Sequence, residues 1–344
     1  MRLCVTGYTY LEKDYTCDND RFHRQDSLCP NSAPYVEVLP GLKARFRNFH
    51  IDTAHPYFPK TSDLKVLRPD TVAAIIMTQS LLENLNISTE ERKEMMLLVA
   101  NSNFIDDQVL DFDGISRAIE KIQGASTHEE KNRLLNAEIS PLIPLRTLTN
   151  GSESFIAQYT QILGENTTYG STALATAHAL SDANTFIRLQ SASSALVGGT
   201  HFANLFSFLN HYLLIEHAKG YSESSASCFL LLESEEGAQK SQRKVLGYIS
   251  DIQYNEALPE NQKVDWLFIG GAFSEMEHQR ILEKTTVIKA KNTFSWFPYT
   301  GNMGCAELGM MISSALQWMT TGNVASIYLE DAFGKYVTLN VEKA

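Results

Sequence analysis

The sequence predicts an α/β fold built from two duplicated βαβαβαββ halves, and three observations predict it. Short apolar runs bounded by Gly, Asn or Ser alternate with longer amphipathic stretches, the pattern of buried strands separated by helices. One order of segments occurs twice along the chain. Two turns rich in small residues, TTYGSTAL at 167–174 and YTGNMGCAEL at 299–308, each lead from a strand into a helix.

The elements follow in order. Strands are expected at 2–8 (RLCVTGY), 95–104, 166–171, 194–202 and 227–234, then at 244–254, 265–273, 286–291, 324–331 and 335–342, because each is a short apolar run with turn residues at its ends. Helices are expected at 69–87, where Pro-Asp opens a run with helical apolar spacing, and at 172–189 and 305–321. The segment 9–60 shows no clear period and reads as loops and short elements capping one end of the sheet. The duplication appears as strand, small-residue turn and helix, strand, strand: MMLLVANSNF, NTTYGSTALATAHAL, SALVGGT and SCFLLLES are replayed by DWLFIGGAF, PYTGNMGCAELGMMISSAL, VASIYLED and KYVTLNVE. The halves divide as 1–240, with the elbow at 167–174, and a shortened 241–344.

Composition narrows the function. The 344 residues, 44% apolar and 20% charged, suit a globular chain with a sizeable core. A net charge of −11 argues against nucleic acid as the main partner, because phosphate binding needs a concentrated basic surface. The five cysteines (Cys4, Cys17, Cys29, Cys228, Cys305) are scattered, without CxxC or Cys/His spacing, so neither a disulfide framework nor a metal site is expected. No apolar run reads as a signal peptide or membrane span, which points to a cytoplasmic protein.

Ligands of open α/β sheets lie beyond the carboxyl ends of the strands, where helix N-termini offer free N–H groups. Chemistry is therefore expected at the two small-residue turns. There, and collinearly along most of the chain, the sequence resembles the β-ketoacyl synthases of the thiolase-like fold. The stretch 141–180 resembles the family's segment leading into its nucleophile elbow T-A-C-S-S-x-L-x-A-x-H. Segment 187–203 is similar to its D-x-A-L-A-G-G strand, and 224–234 to G-E-G-A-x-x-L-V-L-E. Segment 265–277 stands at the place of I-x-x-H-G-T, 298–316 at K-S-x-x-G-H-x-x-G-A-A-G, and 330–341 at G-F-G-G-x-N-x-x-x-V-L. The resemblance implies a layered α-β-α-β-α arrangement.

It also implies where catalysis would sit, and those positions are altered. Aligning His178 with the family histidine puts Gly170 at the nucleophilic cysteine. The two histidines become Gly270 and Asn302, and the supporting lysine becomes Phe297. A thiolate nucleophile and stabilising donors are each needed for acyl transfer, so the resemblance implies a site with no catalytic residue intact. Phe333 and Gly334 match the Phe-Gly that gates the family's acyl pocket, and Tyr169 and Ser171 flank the elbow as further pocket candidates. Cys305, at a helix start, is the one cysteine in an electropositive setting and so the candidate reactive thiol. Cys228 reads as a buried small hydrophobe. His178, His201, His211 and His217 read as structural histidines, the first two buried near the elbow. A serine-hydrolase role for Ser171 lacks G-x-S-x-G.

These readings converge on a non-catalytic subunit of chain-length-factor type in fatty acid, polyketide or aryl-polyene biosynthesis, with no cofactor and no metal. Its expected partner is an active ketosynthase subunit in a heterodimer, or a second copy in a homodimer, joined through the strand ENTTYGS. Acyl carrier protein, itself acidic, would dock on the partner's face rather than on this acidic chain. The alternatives are a divergent 3-oxoacyl-carrier synthase or acyltransferase using Cys305 or Ser171, and a homodimeric acyl-binding protein.

Overall fold

The structure is a computed structural model that describes residues 2–12, 15–18, 35–39, 42–48, 51–101, 112–139, 142, 148, 150–170, 172–204, 207, 220–258 and 262–344. The first half opens with β1 (Leu3–Glu12), β2 (Tyr15–Asp18), β3 (Val36–Leu39) and β4 (Leu42–Arg47). Helices α1 (Pro69–Asn84) and α2 (Thr89–Glu94) precede β5 (Met96–Asn101), and α3 (Phe112–Gln123), α4 (His128–Glu138) and α5 (Gly151–Thr160) lead into β6 (Asn166–Gly170). Then come α6 (Ala175–Arg188), β7 (Ser194–His201), β8 (Tyr221–Ser224), β9 (Ala226–Glu233) and α7 (Glu235–Lys240). The second half runs β10 (Gly247–Tyr254), β11 (Lys263–Gly270), α8 (Glu275–Lys284), β12 (Lys289–Ser295), the single turn α9 (Phe297–Thr300), α10 (Glu307–Trp318), β13 (Val324–Glu330) and β14 (Tyr336–Lys343).

The large sheet has 11 strands in the order β12-β11-β13-β14-β10-β1-β9-β7-β5-β6, with β2 paired to β1. The duplication is visible in its topology. In the first half β5 runs parallel to β6 and β7, β7 antiparallel to β9, and β9 antiparallel to β1. In the second half β11 runs parallel to β12 and β13, β13 antiparallel to β14, and β14 antiparallel to β10. The halves join where β1 and β10 pair antiparallel, Leu3 opposite Ile249. A separate small sheet, β3-β4-β8, is tied to the second half where β8 bonds the backbone of Phe273 and Asn302.

Five layers result. Successive side chains of a strand face opposite sides of the sheet. On β5, Leu97 and Val99 join one apolar cluster with α1 and α5, while Met96 and Leu98 join another with α6 and α10. Both faces are covered, which is why β5, β7 and β9 read as unbroken apolar runs. On β11 the same alternation sends Phe268 to the central cluster, and Leu267 and Ile269 to a third cluster with Ile281 of α8. The layers are therefore α1/α5, sheet, α6/α10, sheet, α8. Helix α10 is buried from Glu307 to Leu316 on every side and packs on strands of both halves, as an all-round apolar helix must.

The boundaries differ from the sequence expectation in three places. Strand β1 extends through Glu12, with its outer half paired to β9, and β2 to β4 are short strands within 9–60. Strand β12 starts at Lys289, because 285–287 form a 3-10 turn after α8. Strand β8 and the short helices α2, α7 and α9 go beyond the sequence reading, as do the longer helices α3, α4 and α8. Their polar faces dilute the apolar signal, and Thr127 and Ser274 cap α4 and α8 by accepting the N–H of Glu130 and Glu277.

Candidate functional site

The carboxyl ends of β5, β7, β11 and β13 and the two small-residue turns lie on one side of the molecule. In the second half β11 ends at Gly270. Gly271 follows with φ +95°, its α-carbon so close to the Glu330 carbonyl that a Cβ there would stand 1.7 Å from the oxygen. Only glycine fits both the angle and the approach. The strand is thereby pinned to the end of β13.

Asn302 is fully buried, and all its polar groups are engaged. Its backbone bridges β8, with its N–H donating to the Ser222 carbonyl (2.9 Å) and its carbonyl accepting from the Ser224 N–H (2.9 Å). Its side-chain Oδ1 accepts the Gly304 N–H at 2.8 Å, and Nδ2 donates to the Ala272 carbonyl at 3.2 Å and to Glu307 Oε2 at 3.4 Å. Glu307 opens α10, yet it points inward. Its Oε1 accepts the Gly271 N–H at 3.1 Å. A Cβ added to Gly270 would lie 2.7 Å from that Oε1. Enclosure dominates over these donors and pushes the Glu307 carboxyl up to about 8. The structure thus brings Gly270 and Asn302 together and joins them through a carboxylic acid.

Phe297 sits apart, buried at the start of α9, with its ring 5.2 Å from that of His278. Burial lowers the His278 pKa, and its Nε2 has no hydrogen-bond partner among the described residues. The aromatic position holds no cation for a reacting group.

In the first half, Gly170 ends β6 and is exposed, and Ser171 lies outside the described residues. The elbow meets the second-half turn through Cys305. Its thiol donates to the Thr172 carbonyl at 3.1 Å, and its own carbonyl accepts from the Thr176 hydroxyl. A Cβ on Gly199 would lie 2.1 Å from that carbonyl oxygen, so the turn at 304–306 packs directly on β7. Cys305 is fully buried and hydrogen-bonded, a setting that shields a thiol from reaction. Cys228 is buried in mid-strand with Sγ 3.6 Å from Ser313 Oγ.

Tyr169 donates to Asp182 at 2.6 Å, and burial together with that carboxylate raises its phenol pKa. His178 corrects the sequence expectation. It is exposed and stacks flat on Tyr254 with centroids 4.8 Å apart, because its side of α6 is left open by the neighbouring layers. Phe333 is 60% exposed, on a turn held by Asp331 Oδ1, which accepts the N–H groups of Phe333 and Lys335 at 2.9 Å each. Gly334 completes that turn with φ +74°. The aromatic ring therefore faces solvent in the single chain. His211, His217 and Cys29 lie outside the described residues, and the side chain of Cys17 is likewise undescribed.

Two buried polar clusters were not anticipated. His201 Nε2 lies 2.7 Å from Glu223 Oε1, both fully buried, and the Ser207 hydroxyl donates to the same carboxylate. Beside them Thr200 donates to Asp70 (3.0 Å), which pairs with Arg68 (2.6 Å), and Arg68 also reaches Asn101 (2.9 Å). The sequence signal for Glu223 and Glu307 is the same, a lone carboxylate inside a run of small and apolar residues. No group of acidic, His or Cys side chains able to hold a metal occurs among the described residues. No helix among them is long and apolar enough to cross a membrane.

No family model and no curated protein sequence matches the chain. Solved structures do. A type II polyketide synthase acyl-carrier protein in complex with its ketosynthase bound to the hexaketide matches with TM-score 0.71 at 13% identity, over 100% of this chain and 99% of that one. The ishigamide ketosynthase/chain length factor matches with TM-score 0.70 at 12% identity, over 100% and 99%. An oxazolomycin ketosynthase domain from Streptomyces albus JA3453 matches with TM-score 0.71 at 12% identity, over 100% and 74%. These likenesses, with the five layers and the duplicated sheet, establish that the chain has the thiolase-like fold of the ketosynthases.

Proposed function

We propose that the chain is a non-catalytic ketosynthase-like subunit that pairs with an active ketosynthase in the manner of a chain length factor. The observation that carries this reading is the composition of the reaction centre. Gly170 offers no nucleophile, Gly270 no donor, Phe297 no cation, and the Asn302 carboxamide is fully engaged inside the protein. Each missing nucleophile or donor removes orders of magnitude in rate. The alternative thiol, Cys305, is enclosed, which weighs against the divergent-enzyme reading.

The partner would supply the cysteine and histidines. Strand β6 is the face we assign to it. It forms one end of the large sheet, and the Oγ1 of Thr168 on it is buried without a hydrogen-bond partner among the described residues. Exposed His178 and Asp182 flank this edge. Carrier protein would dock on the partner, whose charge need not be as acidic as this chain's −11. The test is incubation with radiolabelled acyl carrier, first of the chain alone and then with a co-expressed ketosynthase from the same source. We expect label on the ketosynthase only and co-purification of the two chains. Stable covalent label on this chain alone would sink the reading.

A further inference from the structure

We propose that Glu307 is a built-in occupant of the reaction centre, its carboxyl group seated in a hole of N–H donors where a side chain at 270 would otherwise stand. Two donors converge on it. The Gly271 N–H lies 3.1 Å from Oε1, and the Asn302 Nδ2 lies 3.4 Å from Oε2. A backbone N–H and a carboxamide aimed at one point form the arrangement that stabilises an acyl oxygen. Here the point is already filled by the chain's own acid.

The missing side chain at 270 and the inward carboxyl share one space, since a Cβ at 270 would meet Glu307 Oε1 at 2.7 Å and the Met311 methyl at 2.8 Å. Glu307 itself is fully buried, so no solvent path separates it from the donors. The hole therefore has a ligand class, a small carboxylic acid or acyl carbonyl, and in the native chain it is closed to that class. The inference needs neither a partner nor a carrier protein, so its failure and that of the subunit reading are separate outcomes.

A double-mutant cycle on the full chain tests it. In the native chain Gly270→Ala should lower the melting midpoint by at least about 3 °C, because the new methyl meets the carboxyl. In a Glu307→Ala background the same substitution should cost clearly less, because the carboxyl clash is gone and only the flexible Met311 methyl remains to give way. About 50 mM acetate should raise the midpoint of the Glu307→Ala chain relative to an equal concentration of chloride, and leave the native chain unchanged. Additive effects in the cycle, or acetate shifting both chains alike, overturn the proposal. Glu307→Ser, which keeps one acceptor for the donors, carries the same measurements where Glu307→Ala does not fold. Should neither fold, a native-like midpoint for Gly270→Ala alone overturns it.

Discussion

A carboxyl group enclosed on every side holds its proton more tightly in the folded chain than in the unfolded one, and Glu307 is that case. Its ordinary value is 4.5 and its folded value about 8, with burial as the main cause. Between these values the folded chain binds a proton that the unfolded chain has released, so the contribution of Glu307 to stability falls as pH rises. It is fully present below about 4.5 and lost by about 8. Glu307→Gln keeps the shape and removes the titration. We expect the native chain to lose a few kcal/mol relative to Glu307→Gln between pH 5 and 8, measured as the difference in denaturant midpoints at each pH. A constant difference across that range would show that the carboxyl is not enclosed. That Gly270 stands where the resembled motif has histidine was an expectation the aligned sequence could offer. The carboxyl beside it was not, because Glu307 lies 37 positions downstream of Gly270 and reaches it only through the packing of α10 against β11.

Strand β6 shows how an element can be legible while its role is not. The run NTTYG is readable as a strand from its β-branched and aromatic residues. Its place at the end of the sheet is set by which strands β5 accepts on its two sides, and that order is fixed by the helices that carry the chain from one strand to the next. The mixed burial of β6 records the result, since β7 and β9 in the middle of the sheet are buried throughout. Edge strands present unpaired N–H and C=O groups to another chain, and a charge on the edge discourages such pairing. Thr168→Lys is accordingly expected to abolish co-elution with the proposed ketosynthase partner in size-exclusion chromatography. The melting midpoint of the isolated chain should move by less than about 2 °C, because β6 is an edge strand paired on one side only, to β5. Co-elution at the native ratio would remove β6 from the interface. Strand β1 shows the opposite limit. Residues 9–12 carried no readable period, because Thr9 and Tyr10 are both buried although they point to opposite faces.

At the scale of the molecule the duplication decides how the chain holds together. The repeated order of segments was visible in the sequence, and each of the five strands β10 to β14 has its counterpart in the first half, which adds β2, β3, β4 and β8. What the sequence could not place was α10, because a helix apolar all round fits any enclosed layer. The structure puts it between the halves, touching β11, β13 and β14 on one side and β1, β7 and β9 on the other. The two halves also share a backbone seam at β1 and β10. A core contact in α10 therefore belongs to both halves. Leu308 is fully buried in the cluster that joins them, and Leu308→Ala should destabilise the chain by about 2–5 kcal/mol, the range for emptying such a site. The shared packing adds a second expectation. If the halves were independent domains, the substitution would split the calorimetric trace, with the half that depends on α10 melting first. Because both half-sheets rest on the same helix, native chain and variant should each give a single endotherm, moved as a whole to lower temperature in Leu308→Ala. Two separate endotherms in the variant would mean that the layers are stacked without being mutually required.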